Sequence, residues 1–430
     1  MTYCLITYGC QMNHSDSERI ATILEQIGYK KTNKEKSANL IIVNACSVRQ
    51  AAIDRVYGKI NNFNLFKHKP KTVLTGCILE KDKKKLRGQF DLILDIKDLP
   101  RLPQLLQKIN LSSPRFHSGY KKNYFAIVPK NKSPFIANIP ISTGCNNYCT
   151  YCVVPYVRGP EKNRPAKEII CEAKRHIADG AKEIWLLGQN VNSYRGTMKN
   201  SIINFPKLLK IINDLPGDFW IKFISSHPKD VSDELIKTVA QGDKICKYIH
   251  LPVQSGDNTI LKKMNRHYTV THYKNLIKKI RQQIPKATIS TDIIIGFPNE
   301  TEKQFSNTAK LMREVKFDMA YLSQYSPRPE TAAAKLNDNV SKKEKKRREE
   351  ILNNILRKTA LENNKKYLGK TVNVLIEKAE KNLAFGKTAT HKNVKITLDK
   401  INSRNLIGQL IPIKITSTKP WNLSGELTNY

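Results

Sequence analysis

The sequence predicts an α/β protein in three parts. These are an N-terminal open parallel α/β sheet domain over residues 1–133, a central partial (β/α)6 barrel over 134–366, and a small C-terminal β-barrel over 367–430. Three observations predict this. Short apolar runs alternate with helix-periodic segments in the first third, the pattern of a parallel sheet covered by helices. The middle repeats strand then helix six times, too few to close an eight-stranded barrel. After Gly369 the chain breaks into short β-rich runs separated by turn residues, as in a small barrel.

In chain order, residues 2–8 read as a strand and 16–27 as a helix, with Ile20, Ile23, Leu24 and Ile27 at helical spacing and Gly28 as its stop. Residues 40–43 form a buried strand, 48–60 a helix and 72–75 another strand. Each strand leads to a cysteine: Tyr8-Gly9-Cys10, Asn44-Ala45-Cys46 and Thr75-Gly76-Cys77. Ligands of open α/β sheets gather at the carboxyl ends of the strands, so these three thiols are expected to converge. A polar stretch from about 110 to 134, containing Ser112-Ser113-Pro114, reads as a link, with a domain boundary near Ser133.

The second part opens on an apolar strand, 136–141, followed by Gly144-Cys145-Asn146-Asn147-Tyr148-Cys149-Thr150-Tyr151-Cys152. Three thiolates this close suit three corners of one iron-sulfur cube, leaving one iron open for a non-protein ligand. Further strands at 184–187, 220–224, 248–251, 288–295 and 319–322 run into polar turns rich in Gly, Gln, Ser and His, which face the mouth of the barrel. His227 and His250 stand in or beside these turns, open to a structural or a functional role. Apolar faces such as Leu208, Leu209, Ile211 and Ile212 belong to the core.

Nine cysteines with no secretion signal point to metal ligation or redox chemistry rather than a disulfide scaffold. Cys4, Cys171 and Cys246 lie inside apolar patterns and read as buried small hydrophobes. Hydrophobic content of 40% with 26% charged residues supports real cores. No apolar run approaches the ~18 residues of a membrane span. We expect a cytoplasmic chain without a membrane anchor. Lys and Arg outnumber Asp and Glu by 74 to 37, favouring a polyanionic partner such as RNA, DNA or anionic lipid. The run Lys342-Lys343-Glu344-Lys345-Lys346-Arg347-Arg348 opens a long polar helix to about 367, whose charges either face solvent or lie against phosphate. Residues 366–430 carry eleven Lys/Arg against four Asp/Glu, so the terminal module is itself basic and suited to gripping RNA.

These residues carry a family resemblance. Gly144-Cys145 through Cys152-Val153-Val154-Pro155-Tyr156 and Arg158-Gly159 resembles the signature of the radical-SAM methylthiotransferases, particularly the MiaB-type tRNA enzymes. Gly9-Cys10-Gln11-Met12-Asn13, Asn44-Ala45-Cys46-Ser47-Val48-Arg49 and Gly76-Cys77 are similar to that family's N-terminal cysteine motifs. So are His250-Leu251-Pro252-Val253-Gln254-Ser255-Gly256, Thr291-Asp292-Ile293-Ile294-Ile295-Gly296-Phe297-Pro298 and Tyr325-Ser326-Pro327-Arg328-Pro329 to its later motifs, and the tail resembles a TRAM domain. The chain departs from the pattern at Ile78-Leu79-Glu80, where a small residue and Gln are usual, and at Asn163, where serine is common; neither removes a cysteine.

The resemblance implies two 4Fe-4S clusters and S-adenosylmethionine as cofactors. Cys145, Cys149 and Cys152 would hold the cluster that cleaves S-adenosylmethionine to a 5′-deoxyadenosyl radical. Cys10, Cys46 and Cys77 would hold an auxiliary cluster carrying the sulfur to be inserted. Gly188, Gln189 and Gln254, with Tyr151 by the cluster, are the expected S-adenosylmethionine pocket. The substrate would be isopentenyladenosine next to the tRNA anticodon, displayed in an unstacked loop of the anticodon stem-loop. An electron donor such as flavodoxin or ferredoxin and a sulfur or cluster-assembly donor would be further partners. Two related activities stay open, methylthiolation of threonylcarbamoyl-adenosine or of a ribosomal-protein aspartate. From another class, so does a non-catalytic iron-sulfur RNA-binding or redox-sensing protein.

Overall fold

The computed structural model describes residues 1–47, 50–111, 123–129, 133–398 and 403–428. Five parallel strands make the N-terminal sheet: β1 (Thr2–Thr7), β2 (Lys30–Lys31), β3 (Leu40–Cys46), β4 (Lys71–Cys77) and β5 (Leu92–Ile93), in spatial order β2-β1-β3-β4-β5. Side chains alternate between two buried faces, Leu40, Ile42 and Val73 on one and Ile41, Val43 and Leu74 on the other, as a parallel sheet covered on both sides requires. The strand order reverses between β1 and β3, the place where doubly wound sheets form a crevice.

Helices α1 (Gln11–Gln26), α2 (Gln50–Asn64), α3 (Glu80–Leu86) and α4 (Leu102–Gln107) complete this unit. α1 begins five residues before the expected 16. Its first turns are polar, so no apolar stripe marks them, yet Asn13, Ser15, Asp16, Ser17, Glu18 and Arg19 are all buried. They pack on the central domain: Ser15 Oγ donates to Asn138 O at 3.3 Å, and Arg19 pairs with Glu172 at 3.4 Å. The expected link falls largely outside the described residues, Ser112, Ser113 and Pro114 included. Its described part holds a short turn, Tyr124–Ala126, whose Tyr124 hydroxyl donates to Asp16.

In the central part, β6 (Ile136–Pro140) leads into the pair β7 (Ser142–Thr143) and β8 (Lys162–Asn163), which brackets the Cys145–Cys152 loop and α5 (Val154–Arg158). α6 (Ala166–Ala178), β9 (Glu183–Leu187), the hairpin β10 (Arg195–Met198) and β11 (Ser201–Asn204), α7 (Phe205–Asn213) and β12 (Trp220–Phe223) follow. Then come α8 (Asp233–Gln241), β13 (Tyr248–His250), α9 (Asn258–Lys263), α10 (Val270–Gln283), β14 (Thr288–Ile295), α11 (Glu302–Val315), β15 (Met319–Gln324) and α12 (Lys342–Lys365).

Parallel sheets β12-β9-β6 and β13-β14-β15 join where Ile221 bridges Ile245, giving six parallel strands. β6 and β15 are the edges, so the barrel is open along one side. Ile184, Leu186, Ile289, Ile293 and Ile295 face the helices in the main core. Alternate residues line the lumen, where Trp185, Leu187 and Tyr248 pack with Met12 from α1.

The charge run at the head of α12 is only partly solvated. Lys345 and Arg348 are 4% exposed, paired with Asp338 at 2.7 Å and Glu300 at 2.9 Å, and so serve packing rather than phosphate. β16 (Thr371–Glu380), β17 (Leu383–Thr388), β18 (Asn393–Thr397), β19 (Leu410–Thr418) and β20 (Leu423–Leu427) form a closed barrel in order β16-β17-β18-β20-β19. Its β17–β18 turn docks under the central barrel. Thr288 donates to Thr390 O at 2.7 Å, Lys392 pairs with Asp318 at 2.7 Å, and the His391 ring lies 5.4 Å from Trp185 and 4.6 Å from Tyr248. Among the described residues, no helix is long and apolar enough to cross a membrane.

Candidate iron-sulfur and S-adenosylmethionine site

Cys46 and Cys77 end adjacent strands and are register partners, while Cys10 stands at the N-cap of α1, three residues beyond β1. A buried amide network holds them together. Asn13 accepts from the Cys10 N–H at 3.2 Å and donates to Asn44 Oδ1 at 3.2 Å; Asn44 in turn donates to Asn13 O at 2.8 Å and Ser17 Oγ at 2.9 Å. The Gln11-Met12-Asn13 and Asn44-Ala45-Cys46 motifs thus have a structural cause: each asparagine ties one cysteine loop to the other. Gly76 has φ +111°, and a Cβ there would meet Ala45 O at 2.1 Å, so only glycine lets β4 deliver Cys77 beside Cys46.

The second set lies on one loop. Gly144, at φ +76°, passes so close to Pro160 O that a Cβ would sit 2.1 Å from it, and Cys145 N–H donates to Gly159 O at 3.2 Å. Asn147 Nδ2 is 3.5 Å from Cys145 Sγ, Cys152 N–H donates to Cys149 O at 2.9 Å, and Thr150 N–H donates to Met264 O at 3.1 Å. Backbone hydrogen bonds therefore give the loop much of its shape. Tyr151 is half-buried against Ile260, Met264, Phe297, Tyr325 and Ala333.

Each set is served by one guanidinium. Arg158 Nε donates to Cys77 Sγ at 2.9 Å, and Arg266 Nη1 lies 3.5 Å from Cys149 Sγ while its Nη2 donates to Pro252 O at 2.8 Å. Burial pushes the Cys10 and Cys145 thiols up and takes Cys152 to about 12. Cys77 is shifted down, by the hydrogen bond from Cys46 and by Arg158. None of these six cysteines is in a disulfide. Among the described residues, no three His, Cys, Asp or Glu side chains close around a single ion. A cube takes its thiolates at separate corners, so three thiols need not close on one point to hold a cluster.

The turns after β9 and β12 meet at the mouth. Val191 N–H donates to Ser225 O at 3.1 Å, and His227 N–H donates to Asn190 Oδ1 at 3.2 Å, bringing Gly188 and Gln189 beside Ser226 and His227. Gly188 faces Ser142, whose Oγ would lie 2.7 Å from an added Cβ. Gln254 is buried at φ +72°, a strained conformation held by its N–H on Asp292 O at 2.9 Å. Ser142 Oγ, Ser226 Oγ and His227 Nε2 are buried without a protein hydrogen-bond partner, so each is available to a polar group entering the mouth. Of these Ser142 was not singled out from the sequence, and neither was Arg266; a single serine or arginine carries no spacing signal. Burial and the neighbouring Arg266 hold the His227 imidazole neutral, down to about 2. His250 is held by Ser290 Oγ at 2.9 Å and Asp292 at 3.5 Å on the lumen wall.

Cys4 and Cys246 are buried as expected, but Cys171 is exposed. In α6 Ile169 and Ile170 face the core, and the next residue is turned about 100° around the helix axis, onto the solvent side.

Residues 139–312 match the radical SAM superfamily, and residues 2–95 match an uncharacterized protein family, UPF0004. A tRNA-2-methylthio-N(6)-dimethylallyladenosine synthase of Thermoanaerobacter pseudethanolicus is 42% identical, covering 99% of this chain and 92% of that relative. The enzyme of the same name from Fusobacterium nucleatum is 39% identical, with 98% and 99% covered. Among solved structures, the radical S-adenosylmethionine methyltransferase TsrM from Kitasatospora setae, with cobalamin and a [4Fe-4S] cluster bound, superimposes with a TM-score of 0.55 at 13% identity, over 77% of each chain. That likeness is one of fold.

Proposed function

The chain belongs to the family of the tRNA-2-methylthio-N(6)-dimethylallyladenosine synthases within the radical SAM superfamily, and on that premise we propose that it converts isopentenyladenosine next to the tRNA anticodon into its 2-methylthio derivative. The observation that supports this reading is a link between the elements that carry the two cysteine sets: the segment leaving Cys152 reaches the end of β4 through Arg158 and Cys77. A radical generator and a sulfur carrier must act on one carbon, so their loops must share one chamber.

In this reading Cys145, Cys149 and Cys152 hold one 4Fe-4S cluster, and Cys10, Cys46 and Cys77 the other. When bound, the first supplies reductive cleavage of S-adenosylmethionine and the second the sulfur for insertion. Tyr151, Gly188, Gln189 and Gln254 line the S-adenosylmethionine pocket. We add Ser142 Oγ, Ser226 Oγ and the neutral His227 Nε2 as its polar partners, because these buried atoms otherwise lack one. Gly188 leaves space beside Ser142, and Met12, with Trp185 and Leu187, gives the lumen an apolar wall that keeps water from a reactive intermediate. Arg158 and Arg266 place positive charge against the cysteine sulfurs, offsetting the charge gathered on each set.

The domains are assigned as 1–133, 134–366 and 367–430, the last acting as a TRAM-type RNA module. A flavodoxin or ferredoxin supplies electrons, a sulfur or cluster-assembly donor restores the auxiliary site, and the protein works in the cytoplasm.

Anaerobic reconstitution with iron and sulfide, then S-adenosylmethionine, reductant and isopentenylated tRNA, tests the reading by mass spectrometry of the nucleosides. A methylthio adduct on isopentenyladenosine is expected. 5′-Deoxyadenosine without the adduct would overturn the substrate, and no cleavage with intact clusters would overturn the enzyme.

A further inference from the structure

Arg266, in the turn between α9 and α10, is 7% exposed. Other buried guanidiniums of the chain sit in ion pairs, Arg19 and Arg164 on Glu172, Arg158 on Asp16 and Arg348 on Glu300. Arg266 has no such partner. Among the described residues it donates to neutral oxygens and to a sulfur: Nε to the Tyr268 hydroxyl at 2.8 Å, Nη2 to Pro252 O at 2.8 Å and Nη1 to Cys149 Sγ at 3.5 Å. A guanidinium cannot shed its proton, so a buried one without a counter-charge is costly.

The fork is held from two sides. The Tyr268 hydroxyl that accepts from Nε donates in turn to Val253 O at 2.8 Å, and the guanidinium carbon lies 5.1 Å from the centre of the Tyr268 ring. Pro252 and Val253 lead straight into Gln254, whose N–H and carbonyl are tied to Asp292 O and Ile294 N–H of β14. With Nε and Nη2 fixed to the barrel wall, the planar group presents Nη1 to Cys149. It stands there before any ligand binds. Arg158, beside the other cysteine set, is already neutralised by Asp16, whereas Arg266 keeps its charge for the sulfurs. The uncompensated cation thus stands at the set that must accept an electron.

We infer that Arg266 is a positioning residue for electron transfer: it supplies the counter-charge of the first iron-sulfur cluster and raises its reduction potential. This rests on the assignment of that cluster to Cys145, Cys149 and Cys152 and deepens it. Loading the cluster turns three thiols into thiolates, and reduction adds a further negative charge to a partly buried site. One electron passes from the donor to the cluster, and no proton moves at Arg266. A cation fixed at the sulfur favours the reduced, more negative state by its charge and by its N–H.

The test is a potentiometric titration, read by electron paramagnetic resonance without S-adenosylmethionine. It uses the full chain carrying Cys10→Ala, Cys46→Ala and Cys77→Ala, loaded with iron and sulfide. Arg266→Gln is expected to lower the ratio of reduced to oxidised cluster at a fixed potential about tenfold, a midpoint about 59 mV more negative for one electron. Tyr268→Phe removes the hydroxyl that aims the fork and leaves the cation buried, so it should move the midpoint in the same direction by less. Iron content equal to the parent shows that each variant is loaded. Should Arg266→Gln fail to load, an unmoved midpoint in Tyr268→Phe would overturn the inference. So would a wild-type midpoint in loaded Arg266→Gln; weaker binding of S-adenosylmethionine in that case would give the cation to the methionine carboxylate and not to the cluster. A parent chain that takes up no cluster, or whose resonance does not respond to S-adenosylmethionine, would overturn the assignment of Cys145, Cys149 and Cys152 and this inference with it.

Discussion

Arg158 Nε donates to Cys77 Sγ at 2.9 Å while its Nη2 lies 2.6 Å from Asp16 Oδ2, with the two charged side chains 3% and 0% exposed. The guanidinium thus fastens the loop after Cys152 to helix α1 and to the last residue of β4. Its fork lets one cation serve a carboxylate and a sulfur together, which an ammonium cannot do at fixed geometry. Removing one partner of a buried pair leaves the other uncompensated and costs about 3–5 kcal/mol. Arg158→Gln should therefore lower the melting temperature, with Arg158→Lys less damaging. Hydrogen bonds to cluster sulfurs favour the more electron-rich state, so losing this one should shift the auxiliary cluster to a more negative potential. Potentiometry followed by electron paramagnetic resonance, in a background where Cys145, Cys149 and Cys152 are alanine, reads that shift. An unchanged potential would leave Arg158 a structural role only.

The two thiol sets sit on separate frameworks, one on strand ends cross-tied by Asn13 and Asn44, the other on a loop tied to Gly159 and Met264. Arg158 links them through Cys77 Sγ, and its pairing with Asp16 holds that link when the sulfur is removed. Cys10→Ala, Cys46→Ala or Cys77→Ala is expected to remove about half the bound iron and all methylthio product, while 5′-deoxyadenosine formation continues. Cys145→Ala, Cys149→Ala or Cys152→Ala should abolish both. Loss of radical formation in Cys77→Ala, with the second set still loaded, would break the division of roles.

Much of this was legible because strands and thiols announce themselves locally. Alternation, apolar runs and the residues leading into each cysteine placed Cys46 and Cys77 at strand ends, with the strand termini two or three residues short. What stayed hidden was polar burial. The first turns of α1 carry no apolar stripe because their partners are Asn138, Glu172 and Arg158 from another domain. The charges of Lys345 and Arg348 look solvated until Asp338 and Glu300 arrive from distant loops.

Cys171 offers a direct check on thiol placement. It lies on the outer side of α6, whereas Cys4 and Cys246 are 6% and 3% exposed. With both clusters loaded, one thiol per chain should react quickly with a neutral maleimide, and Cys171→Ser should remove that fast phase without loss of iron. A fast phase surviving in Cys171→Ser would mean that a cluster cysteine is open or a core cysteine accessible. Mass spectrometry of the labelled peptide identifies which.

His391 makes the docking of the C-terminal barrel sensitive to acid. Its ring is enclosed between Trp185 and Tyr248, and burial, then Lys222, Lys387 and His250, hold it neutral down to about 2. Unfolded, the same imidazole takes a proton near its ordinary value of about 6.5. Between those values the unfolded chain binds the extra proton, so stability is full above about pH 6.5 and falls as the pH drops below it. From pH 7.5 to 5 this one group costs about 2 kcal/mol. His227 is depressed for the same reason and adds a similar slope. His391→Asn keeps a residue that tolerates the local φ of +62° and removes the titration. Melting temperatures across pH 5 to 8 should fall less steeply on the acid side for His391→Asn than for wild type. Equal slopes would show that the ring is protonated in place or that the docked turn opens before the rest of the chain.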